Sequence, residues 1–227
     1  MSVPEHLWRF PTQAAIASLA KRFCLPNTPE MQDWEWEVAD CARIDEFCAA
    51  YLSGELTEDE RFVLMETLLQ SFEELDTPVA KHPAWQTVLE LLDRHVELHG
   101  RTIWYWSNPG CKNLEDSWRI TPFVRSILAR HKQLLKPPDE LDGATVLWWT
   151  FSFEPFFVMA DGGEAIPIHG LAVCRYESGK VYRFSCDCGW EVQSDCDFGS
   201  VHEALTAPSA QYEIASLRWE RCSERLA

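Results

Sequence analysis

The chain has 227 residues, 46% hydrophobic and 25% charged, enough apolar content for a proper core and too much for wholesale disorder. Its formal net charge is −16. That balance argues against nucleic acid as a partner, since an acidic surface repels phosphates instead of displacing their counterions.

In chain order, residues 12–23 read as a first helix. Thr12 is its cap, and Ala15, Ile16, Leu19 and Phe23 recur at helical spacing. Pro26 and Pro29 stop it. Trp34, Trp36 and Val38 then alternate with Glu35 and Glu37, the pattern of a short extended piece. Asp40 caps a helix with Ile44, Phe47, Cys48, Tyr51 and Leu52 as its stripe, and Gly54 ends it. Thr57-Glu58-Asp59-Glu60 is a capping box whose acids also suit the helix dipole. Phe62, Met65, Leu68, Leu69, Phe72 and Leu75 follow as a buried face. The dipole accounts for the first-turn acids but not for Glu66, Glu73 and Glu74.

Pro83 opens a further helix expected to run to Gly100. Thr102–Trp106 is apolar on both faces, as in a buried strand or tight segment. Thr121-Pro122 starts another helix, and Pro137-Pro138 marks the boundary between a mainly helical region, 1–138, and a sheet region, 139–227. Beyond it the period changes from 3.6 to 2: Leu147, Trp149, Phe151 and Phe153 share one side of a strand. Asp161-Gly162-Gly163-Glu164 reads as a turn. Leu171–Tyr176 and Val181–Phe184 form a hairpin through Glu177-Ser178-Gly179-Lys180, and Cys188-Gly189 turns again into Trp190-Glu191-Val192. Ser200–Glu203 is a second capping box, and 216–220 is a possible last strand. The expected fold is α+β: a helical N-terminal part packed on a small C-terminal antiparallel sheet with one short helix.

No motif dictates a chemistry. Cys186-x-Cys188, with Cys196 and His202, is the metal-like cluster, but zinc knuckles space paired cysteines by two to four residues and no second pair follows. Glu191, Asp195, Asp197 and Glu203 lack the spacing of a calcium loop, so a solvated turn is the expectation. His95 and His99 lie four apart, but the stretch reads His95-Val96-Glu97-Leu98-His99, with no glutamate in the position directly after the first histidine that a metalloprotease helix requires. Phosphate loops, nucleophile elbows and dinucleotide fingerprints are absent. No catalytic residue, metal ligand or cofactor is assigned. Met1–Glu5 has no basic segment and no apolar stretch follows it. With nine cysteines, free thiols in a reducing cytoplasm are the default expectation. Ala144–Ala160 is too short, and too interrupted by Glu154 and Pro155, to span a membrane.

Charge is uneven. Residues 1–76 hold 16 acidic and five basic side chains. Acidic surfaces with aromatic anchors steer basic protein partners. The candidate contacts are therefore Glu35, Glu37, Glu66, Glu73 and Glu74, with Trp34 and Trp36 as anchors.

Two runs carry a resemblance. Val181–Cys186 to Trp190-Glu191-Val192, with Asp195 and Ser200–Ala204, resembles the ending of small bacterial proteins found beside secreted polymorphic toxins. Arg43–Phe47 to Phe62–Glu66 is similar to proteins from the same settings. The resemblance implies an immunity protein: a cytoplasmic partner that binds a cognate toxin and blocks it. Together with the acidic surface, the expectation is a non-enzymatic inhibitor that covers a basic cleft on the toxin. The alternative is a small hydrolase or zinc-binding enzyme using the C-terminal Cys and carboxylate cluster.

Overall fold

The computed structural model describes residues 3–161 and 164–222. The fold is α+β, with most helices in the N-terminal part and the strands in the C-terminal part. The chain divides into two compact units. One comprises Trp8–Asn108 and Asn113–His131; the other comprises the described residues up to Leu7, Pro109–Lys112 and Lys132 onward.

In the helical unit, α1 (Gln13–Phe23) is capped by the Thr12 side chain and ended by Cys24 in the left-handed region. Then come α2 (Trp34–Glu37) and α3 (Ile44–Leu52), the latter preceded by a 3-10 turn that Asp40 caps. The centre of the unit is α4 (Glu58–Glu73). Both halves of its capping box are formed, with Thr57 accepting from Glu60 N–H and Glu60 reaching back to Thr57 N–H. Past its first turn it is buried almost all round, from Phe62 to Leu69 and at Ser71 and Phe72. It packs against α1, α2 and α3. A helix with no wet face is a core helix, so its sequence lacks a strong one-sided stripe.

Two readings of this region are corrected. The Trp34–Val38 stretch is not extended: Asp33 C=O accepts from the N–H groups of Trp36 and Glu37 and closes one helical turn. Thr102–Trp106 is neither a strand nor a tight segment but lies within α6 (Gly100–Ser107). The preceding helix, α5 (Trp85–Arg94), stops short of Gly100. Both α5 and α6 meet α7 (Thr121–Arg130), which has Pro122 in its first turn.

The sheet unit contains β1 (Glu140–Leu141), β2 (Ala144–Phe151), β3 (Phe157–Asp161), β4 (Glu164–Ile168), β5 (Gly170–Arg175), β6 (Val181–Cys186) and β7 (Val192–Phe198). Helix α8 (Val201–Thr206) and β8 (Glu220–Arg221) follow. The antiparallel order is β1-β2-β5-β6-β7, with β8 also paired to β2, while β3 and β4 form a separate hairpin. The expected Gly162-Gly163 turn lies outside the described residues. The β5–β6 hairpin forms as read, with Gly179 at φ 85 in its turn.

The clean alternation expected along β2 is broken by a bulge between Val146 and Trp148. Beyond it the neighbours Trp149 and Thr150, on opposite faces, are both buried, and Phe153 lies past the strand end. Asp195 and Asp197 are not in a turn: they stand on the exposed strand β7, paired with Phe184 and Tyr182. A cation sits inside this unit. Arg183 is buried, and its Nη1 donates to the C=O groups of Ala204 and Ala207 at 2.9 and 3.1 Å, the carbonyl end of α8. No helix of the described residues is long and apolar enough to cross a membrane.

Candidate partner-binding surface

The turn α2 sorts its four side chains by depth. Trp34 is 3% exposed, and its Nε1 donates to Pro26 C=O at 2.7 Å. It pins the loop after α1 to the core and does not reach a partner. Glu35 is also buried, which raises its pKa, and the nearby charges of Glu66 and Asp33 add to the rise. Trp36 is half-buried. Its ring stacks on Trp106 at 5.8 Å and meets Tyr105 edge-on at 6.1 Å. Glu37 is exposed, with a carboxylate that accepts from Gln32 N–H at 3.0 Å.

Glu66 is corrected most sharply. It is 2% exposed, not outward, and belongs to a buried polar network. Oε1 accepts from Thr102 Oγ1 at 2.7 Å and Arg101 Nη1 at 3.2 Å, and Oε2 accepts from Trp106 Nε1 at 3.1 Å. Burial still raises its pKa against the pull of these donors. All three donors come from α6, where Thr102 and Trp106 are one helical turn apart. A helix brings them within reach of one carboxylate, whereas a strand would hold them on one face but about 13 Å apart.

Glu73 is half-buried and committed elsewhere. Its carboxylate accepts from the N–H groups of Arg119 at 2.7 Å and Ile120 at 3.2 Å, just ahead of α7. The Arg119 side chain returns to the C=O groups of Leu75 and Thr77. Glu74 is exposed and accepts from Gln70 Nε2 at 3.2 Å. Of the seven residues read from the sequence, Trp36, Glu37 and Glu74 therefore reach the surface with side chains open to a partner.

Sequence reasoning missed the aromatic companions of Trp36. Trp118 lies 4.9 Å from Tyr105 and 5.1 Å from Trp106. Trp36, Tyr105 and Trp118 are each half-buried around fully buried Trp106. Arg101 lies 5.5 Å from the Phe10 ring and 6.0 Å from that of Tyr105. The charges of Glu66 and Asp33 help raise the Tyr105 pKa, behind the effect of its own burial. The result is a patch of three ring edges with Asp33 and Glu37 beside it, resting on a hydrogen-bonded floor.

The C-terminal cluster stays dispersed. Cys186 is buried at the end of β6, Cys188 lies in the following turn, and Cys196 is exposed on β7 opposite Arg183. Burial pushes the Cys186 thiol well up and the Cys188 thiol up to about 11, so both stay protonated near neutral pH, the unreactive form. Asp187 Oδ1 accepts from the N–H groups of Gly189 and Glu191, a turn cap, and Glu203 accepts from Gly199 N–H. Among the described residues no group of three or more His, Cys, Asp or Glu side chains is placed to hold a metal. His95 and His99 follow α5, which ends at Arg94, and both rings lie near Tyr51.

No family model, curated protein or solved structure matches the chain.

Proposed function

We propose that this protein is an immunity protein of the bacterial cytoplasm, which binds a cognate secreted toxin and covers its basic active-site cleft. One observation carries the reading: the half-exposed Trp36–Tyr105–Trp118 patch with exposed Asp33 and Glu37 at its side. Aromatic side chains are the common anchors of protein interfaces, and carboxylates around them select a basic partner and speed its approach. The patch stands on Trp106 and the Glu66 network, so little conformational freedom is left to lose on binding. Glu74, at the end of α4, is a further exposed carboxylate.

The test is protection of cells. The protein is co-produced with the product of a toxin-like reading frame adjacent to its own gene. The wild type restores growth, and the triple variant Asp33→Lys, Glu37→Lys, Glu74→Lys does not, although it melts like the wild type. Absence of such a reading frame, or protection that survives the triple reversal, overturns the reading or its assigned surface respectively.

A further inference from the structure

Apart from the acidic face, the helical unit holds a group of hydrogen-bond donors of opposite electrostatic character. Tyr51 on α3 and His99, immediately before α6, form a buried pair with Oη and Nε2 2.7 Å apart. Burial, with the charges of His95, Arg9 and Arg61 adding, holds the His99 pKa down at about 3, so the ring is neutral. The pair then owns two polar hydrogens, the phenol O–H and a single imidazole N–H. One of them makes the bond between the two side chains. If Tyr51 donates, the remaining hydrogen is on Nδ1, which is buried with no partner among the described residues. If Nε2 donates, the remaining hydrogen is the Tyr51 O–H. In either arrangement one buried donor lacks an acceptor.

Two more such donors lie nearby. The Nε atoms of Arg9 and Arg61 are buried without a partner among the described residues. Arg9 Cζ stands 5.5 Å from the Phe62 ring, and the His99 ring lies nearly parallel to that same ring at 6.4 Å. Arg9 has one carboxylate, Asp59, at 2.7 Å. The Arg61 side chain makes no hydrogen bond or salt bridge to any described residue, although Glu58, Asp59 and Glu60 precede it directly. The His95 ring lies 6.4 Å from that of Tyr51. Arg9, Arg61 and His95 are half-buried, so the group has an approach from solvent, whereas Tyr51, Phe62 and His99 form its floor.

We propose that Arg61, Arg9 and the Tyr51–His99 pair bind a small oxyanion, a carboxylate or a phosphoryl group, whose oxygens accept from these donors. A guanidinium fork and a hydroxyl or imidazole donor suit such oxygens, and a buried donor left unpaired is costly. The site is separate from the acidic face, and its test needs no toxin.

Protein with labelled histidine rings is titrated near neutral pH with sodium acetate or sodium phosphate, at an ionic strength held constant with sodium chloride. The ring signals of His95 and His99 are expected to shift and saturate with at least one anion. Arg61→Gln, which removes a half-buried side chain and keeps the fold by circular dichroism, is expected to weaken that binding at least tenfold, about 1.4 kcal/mol. A response to acetate alone assigns a carboxylate ligand, and a response to phosphate alone a phosphoryl group. Failure to saturate with either anion, or equal binding by Arg61→Gln, overturns the proposal.

Discussion

At the scale of single residues, Glu66 is the acceptor that holds the buried polar network on α6 together. Its carboxylate collects three side-chain donors on α6 while 2% exposed. Truncation by Glu66→Ala leaves Arg101, Thr102 and Trp106 facing a void. The expected loss is ~3–5 kcal/mol, the usual cost of breaking a buried charged pair, read from urea unfolding. Glu66→Gln should cost less, because it keeps the volume and fails mainly where its amide nitrogen meets Trp106 Nε1–H. His99 supplies a pH signature. Its folded pKa of about 3 lies below the 6.5 of the free side chain, so the unfolded chain takes up the proton first. Stability conferred by neutral His99 is complete above pH 6.5 and is lost as pH falls toward 3, with a slope approaching ~1.4 kcal/mol per pH unit. Glu66 acts in the opposite sense: its raised pKa means that stability is gained as pH falls through the folded value toward 4.5. Comparing wild type with His99→Gln at each pH cancels the carboxylate contribution. The difference between the two proteins should shrink steadily on acidification below pH 6.5; a constant difference would show that His99 titrates normally.

At the scale of elements, the legible parts were those where local chemistry decides the outcome. The Thr57–Glu60 box, the Thr12 and Asp40 caps and the Gly179 hairpin each rest on two to four neighbouring residues, and each formed. Where tertiary contacts decide, the pattern misled. Trp34-Glu35-Trp36-Glu37 alternates like a strand, yet one turn of helix buries Trp34 and Glu35 together. Thr102–Trp106 gave no period, because α6 is buried on most sides and leaves only Arg101 and Tyr105 half-buried. The candidate surface suffered from both effects. Charge at Glu37 and Glu74 was visible in the sequence, but nothing local could tell the outward Glu74 from the buried Glu66 eight positions earlier on the same chain. Tyr105 and Trp118 join Trp36 only through the packing of α2, α6 and the loop before α7. Within the sheet unit, the close approach of β5 to the turn after β6 yields a firm expectation. A Cβ at Gly170 would lie 2.7 Å from Trp190 Cζ3. Trp190 is itself buried and fixed by its Nε1 bond to Leu135 C=O at 3.1 Å. Gly170→Ala must displace this ring, and a loss of ~1–3 kcal/mol is expected in thermal or urea unfolding.

At the scale of the whole molecule, the −16 charge is a long-range quantity. If it steers a basic partner, the association rate should fall steeply as salt is raised, because the Debye length shortens from ~10 Å at 0.1 M to ~3 Å at 1 M. The dissociation rate, governed by the aromatic patch, should change little. Surface-immobilised toxin and a salt series separate the two rates; a salt-independent association rate would remove steering from the account. The division of the chain has a practical consequence for anyone wishing to dissect it genetically. The sheet unit draws on three separate stretches, up to Leu7, Pro109–Lys112 and Lys132 onward. Gly110 shows how closely the middle one is built in, since a Cβ there would come within 3.1 Å of Cys188 Sγ. Cutting after His131 keeps every residue of the helical unit in one fragment. No single cut does the same for the sheet unit, so it cannot be excised as a portable cassette, whereas the fragment that ends at His131 holds the whole helical unit and still carries two short stretches of the other.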